Sequence, residues 1–194
     1  MVLAGGAGDV VLLNRLHDKD ANVNQVSGVM YYSSPLCMAA KNGKLDAVKW
    51  LIKNGADPYL KARGTTALGE AVARDHAEIV EYLFLHVIDP DLVSRDEKGA
   101  ALFKAATKRT KPENYAQNLQ IIATLLSHGA DKAYRSKFPY HQGKSVLEFV
   151  QEERAKTAGR IKPNMNRTNR ARIEGVVKHH DAIINLLKKY PESK

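Results

Sequence analysis

The sequence of 194 residues contains a single cysteine, Cys37, and only 7% aromatic residues. One cysteine excludes an internal disulfide and is typical of a reducing compartment. No stretch approaches the roughly 20 apolar residues that a membrane-spanning helix needs. Residues 1–6 also lack the basic start and long apolar run of an export signal. These absences predict a protein without a membrane span that resides in a cytoplasm.

Arrangements of residues that would support catalysis or bind a metal ion are also missing from the sequence. His179 and His180 are adjacent, so on a helix they point about 100° apart and cannot share a metal ion. Cys37 has no base placed to activate it. The glycine-rich segment 5–8 lacks the preceding strand and the following lysine of a phosphate-binding loop. We therefore expect a non-enzymatic protein with no catalytic residue, no metal site and no cofactor.

What the sequence does contain is a repeated pattern. Leu36, Leu68 and Leu102 are separated by 32 and 34 residues (68 minus 36, 102 minus 68), and Leu147 is a further candidate. Segments similar to Gly-Ala-Asp end at Asp57, Asp89 and Asp131. A period of about 33 residues is typical of stacked repeats, in which each unit buries its apolar face against its neighbours.

Each copy is predicted to form two short amphipathic helices. In the best copy, Leu36, Ala39 and Ala40 lie on one face of the first helix. Ser34 and Pro35 provide the N-cap and the first helical residue, as many helices prefer. The second helix has a wide apolar stripe, which leads us to expect its residue Trp50 to be buried between helices.

The segment from Ser34 to Asp57 resembles the ankyrin repeat family, and the resemblance extends over about residues 8–150. It implies four to five repeats, with a truncated first repeat whose first helix is nearly absent and a degenerate last one. The implied fold is an all-α solenoid of helix-turn-helix units with finger loops, the hairpin loops between repeats, closed by a C-terminal capping helix. We expect two regions, ankyrin-like repeats over 1–150 and a degenerate last repeat with a basic insertion and the capping helix over 151–194.

The family resemblance also implies a function, which is to bind another protein through finger loops and the exposed ends of the first helices. The chain would act as a monomer, as an adaptor or as an effector that an intracellular bacterium delivers into host cytoplasm. Carried over position by position, the protein-binding residues are Met30, Tyr31, Tyr32, Ser33, Lys41, Asn42, Arg63, Thr65, Arg74, Glu97, Lys98, Thr107, Lys108, His141, Gln142 and Lys144.

Two departures from the family pattern lie in loops. The first finger is unusually apolar at Met30, Tyr31 and Tyr32, which would either cap the truncated repeat or anchor a partner. The fourth repeat carries eight additional residues, 108–115, between its two helices. Pro112 within them predicts a real loop or a new helix start.

The third departure is a basic C-terminal half. Residues 1–97 contain 10 Lys and Arg against 13 Asp and Glu, or −3, whereas residues 98–194 contain 20 against 8, or +12. Pro163 and nearby asparagines predict a loop between helices. An alternative function is therefore a basic module that binds nucleic acid or anionic lipid, with the repeats as platform. The absence of aromatic residues from 154–172 disfavours nucleic acid and leaves an acidic protein, or no partner, as the other explanation. The candidate anion-binding residues are Arg160, Lys162, Arg167, Arg170 and Arg172.

Overall fold

The computed structural model describes residues 1–27, 33–87, 95–136, 141 and 143–190, and these residues form an all-α protein. The helices are α1 (Val2–Ala7), α2 (Val10–His17), α3 (Pro35–Lys41), α4 (Leu45–Lys53), α5 (Ala67–Ala73), α6 (Ala77–His86), α7 (Arg95–Thr107), α8 (Tyr115–Ser127), α9 (Val146–Ala158) and α10 (Arg167–Lys189). The chain packs into two compact units, residues 1–92 and 93–194. The subdivision at residue 150, which separates family-like repeats from the tail, stays a prediction.

In the first unit, the helix ends follow from local sequence. The Ser34 hydroxyl accepts a hydrogen bond from the Cys37 amide at 3.1 Å, and Pro35 occupies the first helical turn of α3. Thr66 caps α5 in the same way. After α3, Gly43 adopts φ +70°, a left-handed conformation that glycine takes without steric strain. The predicted N-cap Ser34 and the predicted first helical residue Pro35 are therefore confirmed.

The repeats of the first unit stack in register. The first helices pack in the order α1, α3, α5, and the second helices in the order α2, α4, α6. Between these two layers lie Leu36, Val48, Leu51, Leu68 and Leu83, each no more than 5% exposed. Their burial supplies the main stabilisation of the unit.

Hydrogen bonds between successive repeats reinforce this stacking. Asn42 Nδ2 donates to the Gly6 carbonyl at 2.8 Å. His76 Nε2 lies 3.1 Å from the Lys41 carbonyl, and since a carbonyl can only accept, Nε2 is the protonated nitrogen. Asn24 bonds the backbone of the next exit turn through both its oxygen and its nitrogen. Each bond joins residues 31 to 36 positions apart, so the repeat period appears directly in the hydrogen bonding.

Two predictions for the first unit are wrong. The first repeat does have a first helix, α1, although it is only six residues long and includes Gly5 and Gly6. Trp50 is partly exposed, not buried; its Nε1 donates to Asn14 Oδ1 at 2.7 Å, and its ring makes an edge contact with His17. The neighbouring Leu51 is the fully buried residue, because one helical step rotates the side chain by about 100°.

In the second unit, α7 pairs with α8, α7 and α8 pack on α9 and α10 respectively, and α9 and α10 form an antiparallel helical hairpin. The eight additional residues form a short loop, a 3₁₀ turn over Pro112–Asn114 and the start of α8. Pro112 begins that turn, as its fixed φ favours. The predicted loop and new helix start are therefore both present.

A buried polar network joins three helices of this unit. Asn118 on α8 is fully buried, and its Nδ2 donates to the Ala105 carbonyl of α7 at 2.9 Å. Its Oδ1 lies 3.1 Å from His179 Nε2 on α10, so that nitrogen is the donor. The Tyr115 ring stacks on His179 with 4.0 Å between ring centres. Because a buried amide is costly unless bonded, this network fixes α7, α8 and α10 relative to one another.

Candidate functional site: two exposed cationic surfaces

The finger between the second and third repeats ends in a tight turn with an arginine at its tip. Ala62 and Thr65 exchange two backbone hydrogen bonds, at 2.9 and 3.2 Å. Between them Arg63 has φ +55° and Gly64 has φ +77°. Two successive positive φ angles define a type I′ turn, whose first position favours asparagine or glycine. Arg63 is exposed, so the finger presents to solvent a residue that is unfavourable in this backbone conformation.

Two more cations lie at the ends of the first helices. Lys41 is the last residue of α3, and Arg74 follows the end of α5, 33 positions later. Arg63 and Arg74 therefore flank α5, which at seven residues spans about 10 Å. In the part of the chain that the structure describes, none of the three side chains takes part in an ion pair.

The other predicted contact residues of the first unit have structural partners. Ser33 pairs with Ser27 at the base of its finger, and Thr65 closes the type I′ turn. Asn42 is tied to Gly6, as described above, and lines with Lys41 and Met38 a shallow depression beside Leu3. The predictions for Met30, Tyr31, Tyr32 and Gln142 lie outside the described residues.

In the second unit, the structure corrects the expected position of two residues. Glu97 and Lys98 were predicted at a finger tip, but they lie within the first turns of α7. Glu, Lys and Ala all favour helix, and this segment has no proline to stop it. Thr107 ends α7, with its hydroxyl bonded to the Phe103 carbonyl at 2.7 Å, and Lys108 follows it.

His141 and Lys144 also have contacts within the second unit. The His141 ring lies between Phe103 and Phe149, with ring centres 4.6 and 5.1 Å away, and its Nδ1 is 2.7 Å from the Ser136 hydroxyl. Lys144 forms an ion pair with Glu152. Their contact with a partner stays a prediction.

The Lys144 pair has a measurable consequence. Hydrogen bonds from Lys144 and then Lys156 hold the pKa of Glu152 at about 2, below its ordinary 4.5. The carboxylate therefore stabilises the fold above about pH 4.5, and this contribution is lost as the pH falls toward 2. We expect Lys144→Met to raise the Glu152 pKa toward 4.5 in an NMR titration of the carboxyl carbon, whereas Lys162→Met leaves it unchanged. An unaltered pKa in Lys144→Met would show that the pair is absent in solution.

The second cationic surface is the tip of the α9–α10 hairpin, which we define as residues 159–172. Arg160 and Lys162 lie in the turn, as predicted for the loop. Arg167, Arg170 and Arg172 lie in the first turns of α10, outside the loop. Asn166 begins the helix by accepting a hydrogen bond from the Asn169 amide at 2.9 Å. All five cations are exposed.

The acidic residues of this unit are concentrated away from the tip. Asp181 pairs with Arg154 at 2.7 Å, while Glu152 and Glu153 pair with Lys156. At the tip, only Arg170 has a partner, Glu174 at 3.7 Å. Among the described residues, Arg160, Lys162, Arg167 and Arg172 have no ion pair. The tip therefore holds most of the uncompensated positive charge of the hairpin.

Tyr115 is a neighbour of the tip that the sequence analysis did not identify. Partial burial raises the pKa of its hydroxyl, and the positive charge of Arg172 opposes that effect. The two residues are 57 positions apart, so no local pattern could indicate their proximity. His179 already covers one face of the Tyr115 ring.

We also searched the described residues for a reactive thiol, a metal site and a membrane-spanning helix. Burial raises the pKa of the Cys37 thiol, which disfavours the reactive thiolate. Over the described ranges, no group of three or more His, Cys, Asp or Glu side chains could hold a metal ion. No helix in those ranges has the length and apolarity to cross a membrane.

Comparison with known proteins agrees with the stacked helical repeats. A family model described as ankyrin repeats (3 copies) matches residues 1–96 and 36–136. The fowlpox virus (strain NVSL) protein FPV014, described as an ankyrin repeat protein, is 32% identical over 130 residues, 66% of this chain and 27% of its own length. The Caenorhabditis elegans ankyrin repeat and KH domain-containing protein mask-1 is 30% identical over 129 residues, 66% of this chain and 4% of its own. The chain therefore spans only a small part of these relatives, and by the family match it belongs to the ankyrin repeat family.

Proposed function

We propose that this chain is a non-enzymatic module that binds another protein through the finger turn at Arg63 and the helix ends at Lys41 and Arg74. Ankyrin repeats generally serve in protein–protein interaction, and the family is typically non-enzymatic. Arg63 and Arg74 are exposed and Lys41 is partly buried, and none of the three has an ion-pair partner among the described residues; this favours a partner that offers carboxylates. We further propose an adaptor or host-directed effector role in a cytoplasm, in keeping with the single buried cysteine.

The observation that carries this proposal is the backbone conformation of Arg63. A residue other than glycine, asparagine or aspartate in the left-handed region costs roughly 1–2 kcal/mol. Folding alone would favour asparagine at this position of a type I′ turn. Strain that the fold does not need is a recognised sign of a residue retained for binding.

Arg63→Asn tests the proposal because it should separate stability from binding. We expect the free energy of unfolding to rise by about 0.5–1 kcal/mol, since asparagine suits the turn. Binding to a partner isolated by affinity capture should weaken at the same time, because the guanidinium is lost. Urea denaturation and titration calorimetry measure the two effects.

Lys53→Asn is the matched control, because Lys53 is an exposed cation on the second helix α4, away from the finger. It removes the same charge and should leave binding unchanged. If Arg63→Asn and the double variant Lys41→Glu/Arg74→Glu both bind the partner as tightly as the unchanged protein, the proposed binding surface is wrong.

The uncompensated charge at the hairpin tip favours a second candidate function. In that function the tip, residues 159–172, binds a nucleic acid or an anionic lipid while the repeats serve as platform. Arg160, Lys162, Arg167 and Arg172 would supply the contacts. Binding that weakens steeply as salt concentration rises would support this candidate.

A further inference from the structure

The hairpin tip extends past its partner helix. The antiparallel pair Arg154–Asp181 sets the register, so Ala158, the last residue of α9, lies opposite about residue 177 of α10. Residues 167–176 of α10 therefore continue beyond the end of α9 by roughly 15 Å, at 1.5 Å per residue.

Exposure along one face of α10 shows where the helix leaves the body of the unit. Positions seven apart lie nearly on the same side of a helix. On that side Ile183 is buried, Val176 is partly buried and Asn169 is exposed. Likewise His179 is buried and Arg172 is exposed. The first six residues of α10, 167–172, are thus all exposed.

The side chains of this accessible segment are suited to a nucleic acid. Arg167, Thr168, Asn169, Arg170 and Arg172 carry hydrogen-bond donor groups, and no acidic residue lies within 167–172; Glu174, the partner of Arg170, follows in the next turn. Arg170 and Arg172 are about 160° apart around the helix, so they can reach phosphates on both walls of a groove. Arginine and asparagine also match the acceptor and donor groups on base edges.

We propose that the hairpin tip binds duplex DNA, with the first two turns of α10 entering the major groove. This inference rests on the second candidate function, an anionic partner at the tip, and names that partner. A helix about 10–12 Å in diameter fits the major groove of B-DNA, which is about 12 Å wide. The deep, narrow major groove of double-stranded RNA does not admit it.

Two other anionic partners fit less well. Single strands bind by stacking their bases on aromatic rings, and residues 159–172 contain none. Lipid surfaces are held by exposed large apolar side chains beside the cations. The large apolar residues of the tip, Ile161 and Met165, are both partly buried.

The test compares two triple variants on the same helix. Arg167→Glu/Arg170→Glu/Arg172→Glu reverses the tip, and Lys178→Glu/Lys188→Glu/Lys189→Glu makes the same change in net charge further along α10. All six positions are exposed. The probes are a short duplex DNA of mixed sequence, its single strand, the matching RNA duplex and vesicles of phosphatidylserine and phosphatidylcholine. Anisotropy or cosedimentation is measured across a salt series, with circular dichroism as the check on folding.

We expect the duplex DNA to bind most tightly, and the tip variant to lose at least about tenfold in affinity while the slope of log affinity against log salt falls by roughly 3. The control triple should lose less than about threefold. An equal loss of affinity in both triple variants would show that binding depends on net charge alone and would overturn the tip as the binding site. Should the tip variant unfold, Arg→Gln at the same three positions replaces it, and the same loss of affinity for duplex DNA is expected.

The remaining outcomes separate this inference from the candidate function on which it rests. Binding of vesicles, single strands or RNA duplexes through the tip, without preference for duplex DNA, overturns the inference and keeps an anionic partner. Absence of binding to every probe overturns both.

Discussion

Replacing Leu51 by alanine is expected to lower the free energy of unfolding by about 2–5 kcal/mol, more than replacing the larger Trp50. Leu51 is fully buried between the helix layers of the first unit, so its removal leaves a cavity. Trp50 is partly exposed and binds Asn14 at the surface of α2. Because only part of its area is buried, we expect Trp50→Ala to cost about 1–2.5 kcal/mol. Urea denaturation followed by far-ultraviolet circular dichroism measures both variants.

Trp50→Phe is the control for this comparison. It keeps most of the apolar ring and removes the hydrogen bond to Asn14, so its cost should be about 1 kcal/mol. The native emission of Trp50 should also lie between those of buried and free indole. A cost for Trp50→Ala that equals or exceeds that of Leu51→Ala would contradict the orientation of α4.

The interior of the repeats could be predicted because it depends on local chemistry. Leu36, Leu68 and Leu102 were aligned by spacing alone, and each is no more than 5% exposed. Ser34, Pro35 and Gly55 have the roles that cap residues usually have. The prediction for Trp50 is wrong because the apolar stripe of α4 is wide. Such a stripe does not indicate which of the neighbours Trp50 and Leu51 faces the core.

Helix α1 shows where intrinsic propensity misleads. Gly5 and Gly6 each disfavour a helix by about 1 kcal/mol, so the sequence indicated that the first helix was nearly absent. In the structure a Cβ atom on Gly5 would lie 2.8 Å from the Pro35 carbonyl oxygen. The glycine therefore allows α1 to approach α3 closely, and tertiary packing outweighs the propensity.

The candidate surfaces depend on information that the sequence does not show locally. The sequence gives seven cations and no acid in residues 154–172, but it does not show that Arg154 pairs with Asp181, 27 positions away. Only the folded chain distinguishes compensated from uncompensated cations. The strain at Arg63 is likewise invisible without the backbone angles.

Asn118→Leu is expected to destabilise the second unit by about 2–5 kcal/mol, although leucine is apolar and similar in size. The variant would leave the Ala105 carbonyl and the His179 Nε2 proton buried without their present partner. Each unsatisfied buried group costs about 1–3 kcal/mol. The loss should appear as a lower urea midpoint, with Asn185→Leu at an exposed position of α10 as the control.

The double variant Asn118→Leu/His179→Leu distinguishes a hydrogen-bond effect from a packing effect. His179→Leu alone should cost about 1–3 kcal/mol, because Asn118 Oδ1 then loses its donor and Tyr115 loses its stacking partner. In the double variant both members of the Asn118–His179 bond are removed, so neither is left unsatisfied by the other. Its cost should therefore fall short of the sum of the single costs by about 1–2 kcal/mol. Additive costs would mean that Asn118 and His179 contribute independently, and that the polar network does not join α8 to α10.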